Sequence, residues 1–307
     1  MPKKTIQLSD HFNYSRLLRF VLPCIGTMLF TSIYGIVDGL CVSNFVGKTA
    51  FAAVNLIMPL PMLLGTIGFM LGTGGSAIVG ITLGEGDQKK ADRYFSMFMW
   101  AALVSAGVLS VLGIVFLQPT AVLLGAKGEL LDYAVRYGRI LMLALPGFAL
   151  QNLFQSFFVT AEKPLLGFWF TVGAGCTNMV LDVVMVGMLH WGVEGAALAT
   201  LISQLVGGVL PVFYFIDRSN TSCLHLCRTQ FYGRVLWDAC INGSSELMTS
   251  LSMSLVNILY NFQLLRLVGE NGVAAYGVIM YAAFLFVAVF VGYAVGSAPI
   301  VSFHYGA

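Results

Sequence analysis

Leu17-Leu-Arg-Phe-Val-Leu-Pro-Cys-Ile-Gly-Thr-Met-Leu-Phe-Thr-Ser-Ile-Tyr34-Gly-Ile-Val-Asp38-Gly-Leu-Cys-Val-Ser-Asn-Phe45 carries, beyond Arg19, no charged residue except Asp38. A run of about 18 apolar, uncharged residues is enough to read as a membrane-spanning helix, and this one is longer. A carboxylate at membrane depth costs about 2.5 to 3.5 kcal/mol even on insertion scales. Asp38 is therefore expected to face an interior cavity and a partner, not lipid.

The rest of the chain has the same character. Of its 307 residues 58% are hydrophobic and 10% charged, against about 25% charged in ordinary soluble domains; mean hydropathy is +0.86. No soluble core absorbs so much apolar side chain, so the expected class is an all-α polytopic membrane protein. The net charge of +2 gives no reason to expect a nucleic-acid partner. Cysteines 24, 41, 176, 223, 227 and 240 lie mostly in apolar runs, where thiols behave as small hydrophobes. Cys223-Leu-His225-Leu-Cys227 lacks a second Cys/His pair nearby, so it reads as a loop entering a helix and no metal is expected.

Eight apolar segments follow one another: 17–43, 54–83, 94–117, 134–159, 165–187, 193–216, 238–265 and 275–303. They are continuously apolar, without the period-two alternation of barrel strands, so each is expected to be a helix. The first is too long for the apolar core of a signal peptide and reads as an uncleaved span. Glu85-Gly-Asp87-Gln-Lys89-Lys90-Ala-Asp92-Arg93 reads as a loop, and 217–236 as the connection between an N-terminal six-helix lobe, 1–216, and the start of a second lobe, 237–307. Eleven of the sixteen Lys and Arg residues fall on the N-terminal side, among them Lys3, Lys4, Lys89, Lys90 and Arg93. The positive-inside rule then puts the N-terminus in the cytoplasm.

Residues 46–84 repeat at an offset of 222. Val46-Gly47 aligns with Val268-Gly269, Ala52-Ala53 with Ala274-Ala275, Ile57-Met58 with Ile279-Met280, Gly74 with Gly296, and Gly84 with Gly306. The repeat unit is six helices, an even number, so both copies insert the same way up, as in transporters built from parallel repeats. Since the chain stops at Ala307, the second lobe is read as truncated.

Only Asp38, Asp182 and Glu246 among the acids lie deep in segments. Asn178 and Asp182, four apart, share a helix face. Two carboxylates and an amide oxygen make a hard-oxygen set suited to a proton or a small cation, and Thr200 adds a hydroxyl. No phosphate-binding GxxxxGK[ST] loop is present, which argues against ATP-driven pumping by this chain alone.

Tyr34-Gly-Ile-Val-Asp38 with Val46-Gly47 and Ala52-Ala53-Val54 resembles the first-helix signature of the MATE (multidrug and toxic compound extrusion) family. Gly72-Thr-Gly-Gly75, Asn178 to Asp182, Gly195 to Thr200 and Pro299-Ile-Val-Ser-Phe-His-Tyr-Gly306 resemble its later motifs. The resemblance implies two six-helix lobes in a V and a secondary antiporter that exports amphipathic or cationic drugs and toxic compounds in exchange for H⁺ or Na⁺. It implies no other cofactor. It places the cation or proton site on Asp38, Asn178, Asp182 and Thr200, with Na⁺ as the one metal ion that could bind there, and gives Glu246 and Tyr34 coupling or substrate roles. A monomer in the plasma membrane is expected, with small-molecule cargo and the bilayer as partners.

Two alternatives remain beside this reading. A lipid-linked saccharide flippase of the same superfamily would carry basic residues in its cavity, whereas the deep charges here are acidic. A truncated, non-transporting fragment is the other. An intramembrane enzyme would need clustered nucleophiles or metal ligands, and the sequence shows none.

Overall fold

A computed structural model describes residues 6–46, 48–217, 219–267 and 270–307; within these, the side chains of 36, 38–45, 48, 49, 51, 52, 55, 250, 254, 257, 258, 261, 262, 264–266, 270–278, 280–282 and 284 lie outside the described set, that of Asp38 among them. The order is α1 (Tyr14–Phe45), α2 (Lys48–Ile57), α3 (Pro59–Gly84), α4 (Gln88–Leu123), α5 (Glu129–Thr160), α6 (Pro164–Asp182), a π-helical turn (Val183–Met188), α7 (Gly192–Ile216), α8 (Gly233–Leu267) and α9 (Glu270–Gly306). No strand occurs among the described residues. Seven helical segments among them are long and apolar enough to cross a membrane. The seventh segment read from the sequence, 238–265, lies in α8, part of which is outside the described side chains, and those seven come from described residues alone. α8 is the most polar long helix, with Asp238, Asn242, Ser244, Ser245, Glu246 and Thr249 in its first half.

α5 is the axis of the first lobe. It packs against α3, α4 and α7 and supports α2. Near the α5–α6 turn its Phe154, Phe157 and Phe158 meet Phe95 of α4 and Phe215 of α7, all buried. Phe95 lies 4.8 Å from Phe157 and 4.9 Å from Phe215, centroid to centroid. Those spacings fall in the range that favours tilted and edge-to-face aromatic pairs. The opposite face of α4 is apolar yet open: Trp100, Val104, Val108, Val111 and Val115 are each more than half exposed. In a membrane-spanning helix such a stripe suits a surface that faces lipid.

Two connections differ from expectation. The stretch between the expected segments 17–43 and 54–83 is helical as α2. Ala50, Ala53, Val54 and Ile57 are buried against Tyr137 and Leu141, spaced i, i+3, i+4 and i+7 as an amphipathic helix requires. The chain breaks at Met58 because Pro59 and Pro61 bring no N–H to continue the ladder. Most of the charged stretch 85–93 is also helical. α4 starts at Gln88, and the Asp87 carboxylate caps it by accepting the Lys90 N–H at 3.1 Å.

The stretch from Asp217 to Tyr232 is non-helical where described, and is pinned along α4. The His225 N–H donates to Asp92 (3.0 Å), the Cys227 N–H to Ser96 Oγ (2.9 Å) and the Thr229 hydroxyl to the Arg93 carbonyl (2.7 Å). Cys223 turns its thiol to the Thr160 carbonyl, and burial pushes that thiol up to about 12. At the same end Leu8, 1% exposed, seats against Phe20, Val21, Val159 and Ile300. Its N–H donates to Glu162 Oε1 at 2.6 Å.

The 222-residue repeat has a structural counterpart. α1 packs along α9 while α3 packs along α8, so each copy's first helix lies on the other copy's second. α3 and α9 meet between the copies. A Cβ on Gly84 would strike the Phe303 carbonyl, and one on Gly306 would strike the Ile81 carbonyl. Residues 81 and 303 differ by 222, as do 84 and 306. A two-fold relation between the copies requires that reciprocity.

Candidate functional site

α1, α3, α5, α6 and α7 enclose a cavity of about 280 Å³. It takes its place from small residues: Gly68 and Gly72 of α3 lie against the backbone of Ala149, Asn152 and Leu153, and Gly208 of α7 lies against Gly147. These contacts draw three helices together and leave room where their larger polar side chains converge. Its apolar, adaptable lining includes Met28, Met58, Met62, Phe69 and Phe148. Its polar lining includes Thr31, Gln151, Gln155, Ser203 and Gln204. None of the described residues lining it is charged.

Three of the residues singled out in the sequence line this cavity: Tyr34, Asn178 and Thr200. Asn178 is 2% exposed and points its amide at the Thr200 hydroxyl, 3.5 Å away. Thr200 in turn donates to the Ala196 carbonyl at 3.0 Å, which leaves its lone pairs toward Asn178. Asp182 is fully buried one turn beyond Asn178, at the last residue of α6. The helix then widens into the π turn Val183–Met188, whose end is marked by the Leu189 N–H bonding to Val184, five residues back. π turns break the regular ladder and are frequent where a helix carries function.

Asp38 stands on α1 four residues after Tyr34; its side chain is outside the described residues, so its contacts are not assigned. Glu246 is not among the residues lining the cavity. It sits half-buried on α8, one turn from Gly243, which abuts the Met70 carbonyl of α3.

The amides were not anticipated. Gln151, Asn152, Gln155 and Gln204 are neutral, and a search for deep charges passes over them. Their signal was the pair Gln151 and Gln155 at i, i+4 in the apolar second half of α5. Asn152 is 6% exposed, and its Nδ2 has no partner among the described residues.

With the geometry in place, comparison with known proteins is direct. The MatE family model matches residues 23–184, more than half of the chain and including most of the cavity-lining helices. The chain belongs to the MatE family. The multidrug export protein MepA of Staphylococcus haemolyticus is 23% identical over 292 residues, covering 95% of this chain and 64% of that protein. MepA of Staphylococcus aureus (strain MRSA252) is 21% identical over the same shares. This MatE chain thus spans 64% of the length of those relatives. A MATE transporter solved in complex with MaL6 superposes with a TM-score of 0.92 at 24% identity, covering 99% of this chain and 68% of that one. An outward-facing multidrug resistance MATE transporter gives 0.92 at 24% identity, over 99% and 67%. At that identity the structures establish the fold: a MATE-type helical arrangement in a multi-pass membrane protein.

Proposed function

We propose that this MatE chain forms the cation-binding lobe and the beginning of the second lobe of a secondary exporter. Its cargo is amphipathic, often cationic small molecules, moved out of the cell against inward H⁺ or Na⁺. The observation that carries the reading is the buried Asn178–Asp182 pair beside a cavity walled by methionines, aromatics and neutral amides. Flexible thioethers adapt to cargo of varied shape. The absence of a basic side chain among the described lining residues favours this over a flippase handling pyrophosphate.

In this mechanism the cargo and the coupling ion bind to mutually exclusive states of the lobe. Asp182, with Asn178 and Thr200 near it and Asp38 expected alongside, takes a proton or Na⁺. Occupation relieves the cost of a buried charge and favours the state with the smaller cavity. Linkage makes the effect reciprocal, so a fluorescent lipophilic cation bound to the purified chain should be displaced by lowering pH or adding Na⁺. The same titration should show the dye shifting the cation's affinity by the same factor. Binding indifferent to both ions would refute ion coupling at this site.

The basic end, carrying Lys89, Lys90 and Arg93, faces the cytoplasm, as the eleven-to-five division of Lys and Arg supports. In a background without native thiols, a cysteine placed at Lys89 should react with impermeant reagents only in opened cells. One placed at Trp191 should react in intact cells. The opposite pattern would invert the topology.

A further inference from the structure

Beyond the cargo cavity, the geometry points to a binding site for the phosphate headgroup of an anionic phospholipid at the basic end of α4. A recess of about 410 Å³ is lined there by Asp87, Lys89, Lys90, Arg93, Tyr94 and Tyr232. Lys89, Lys90 and Arg93 are all exposed. Among the described residues neither Lys89 nor Arg93 has an ion pair, and Lys90 has only a long one, 3.8 Å to Glu85. The Lys90 ammonium lies 5.8 Å from the centre of the Tyr94 ring, which itself stands edge to face with Tyr232 at 5.3 Å. Three acids are near, but two are engaged by backbone: Asp87 caps Lys90, and Asp92 accepts from His225. Those carboxylates are held by backbone N–H groups, and among the described residues none forms an ion pair with Lys89 or Arg93, which leaves both side chains able to reach an external anion.

What makes the anion a lipid is the surface below the recess. Arg93, Trp100, Val104, Val108, Val111 and Val115 recur at steps of seven, four, four, three and four, which is a single helix face. Every residue of that series is exposed. A phosphate seated among the three cations would have acyl chains lying down this stripe. A soluble phosphate would use only the head of the site. Phe231 and Trp237, 77% and 68% exposed, stand at the start of the adjoining α8 region, and exposed aromatics of this kind collect at membrane interfaces.

The test uses the full chain in vesicles of phosphatidylcholine with and without phosphatidylglycerol. Trp169, Trp191 and Trp237 are changed to Phe, so that Trp100 alone reports. Trp100 lies about 10 Å along the helix from Arg93. Phosphatidylglycerol brominated on its acyl chains should quench Trp100 in preference to brominated phosphatidylcholine, by about fivefold or more, since each basic residue at a charged surface contributes about that factor. The preference should fall toward one in 1 M NaCl, where screening is nearly complete. It should also fall toward one in K89Q/K90Q/R93Q, and persist in K127Q/R136Q/R139Q, which removes the same charge at the α4–α5 end, away from the recess. Equal quenching by both lipids in the unmodified basic background would overturn the site, as would loss of preference in both triple variants. Displacement by inorganic phosphate beyond that of chloride at equal ionic strength would assign the recess to a soluble anion and overturn the lipid.

Discussion

Asp182→Asn should make ligand binding indifferent to pH and Na⁺, while the variant inserts and folds like the parent. The substitution keeps size and hydrogen-bonding shape and fixes the neutral form at a position with no exposed surface. A buried carboxylate that alternates between empty and occupied states supplies the free-energy difference that coupling needs. Coupling free energies run from about 1 to 3 kcal/mol, or about fivefold to 150-fold in affinity. That whole factor should vanish, which is the largest functional effect expected of any single substitution here. Asp38→Asn should behave alike if the two acids act on one ion. Asn178→Ala should weaken cation binding less, because it removes a neutral ligand whose neighbour Thr200 remains. Retention of the parent's ion dependence in Asp182→Asn, measured by dye titration at matched protein, would make Asp182 a structural clamp.

Gly84→Ala should give a large loss of stability. α3 and α9 approach so closely at this point that the added carbon meets the Phe303 carbonyl, a backbone atom with no rotamer to yield. Overpacking of this kind costs about 1 to 3 kcal/mol, and the two-fold related Gly306→Ala should cost a similar amount by striking Ile81. Gly107 in α4 has open space where its Cβ would be, so Gly107→Ala should be neutral or stabilise by up to about 1 kcal/mol. Thermal unfolding in detergent reads all three. Equal midpoints for Gly84→Ala and Gly107→Ala would mean that the α3–α9 seam is looser than its geometry states.

The two predictions rest on residues that the sequence revealed for different reasons. Asn178 and Asp182 were legible because polar groups four apart in an apolar helix are costly to place and have to share a face. Gly84 and Gly306 were legible only as a repeat; their mutual contact needed the fold, since alignment of two copies does not say that the copies touch. α2 was missed although its apolar residues keep helical spacing, because Lys48 and the short length between two spans resembled a connection. Glu246 lies on α8, outside the residues lining the cavity, because depth in an apolar segment does not fix which face of the helix a residue occupies. The glutamines of α5 and α7 were passed over because neutral amides leave no mark on charge counts, and they make up much of the polar lining of the cavity.

The most direct test of the central claim is proton or Na⁺ release on ligand binding to the purified lobe. In weakly buffered solution with a pH indicator, and in parallel with a Na⁺-selective electrode, saturating the chain with a lipophilic cation should expel close to one H⁺ or one Na⁺ per chain. Asp182→Asn should bind the same dye and expel neither. Equal ion release from the variant, or dye binding by the parent with no release of either ion, would contradict a coupling site at Asn178 and Asp182.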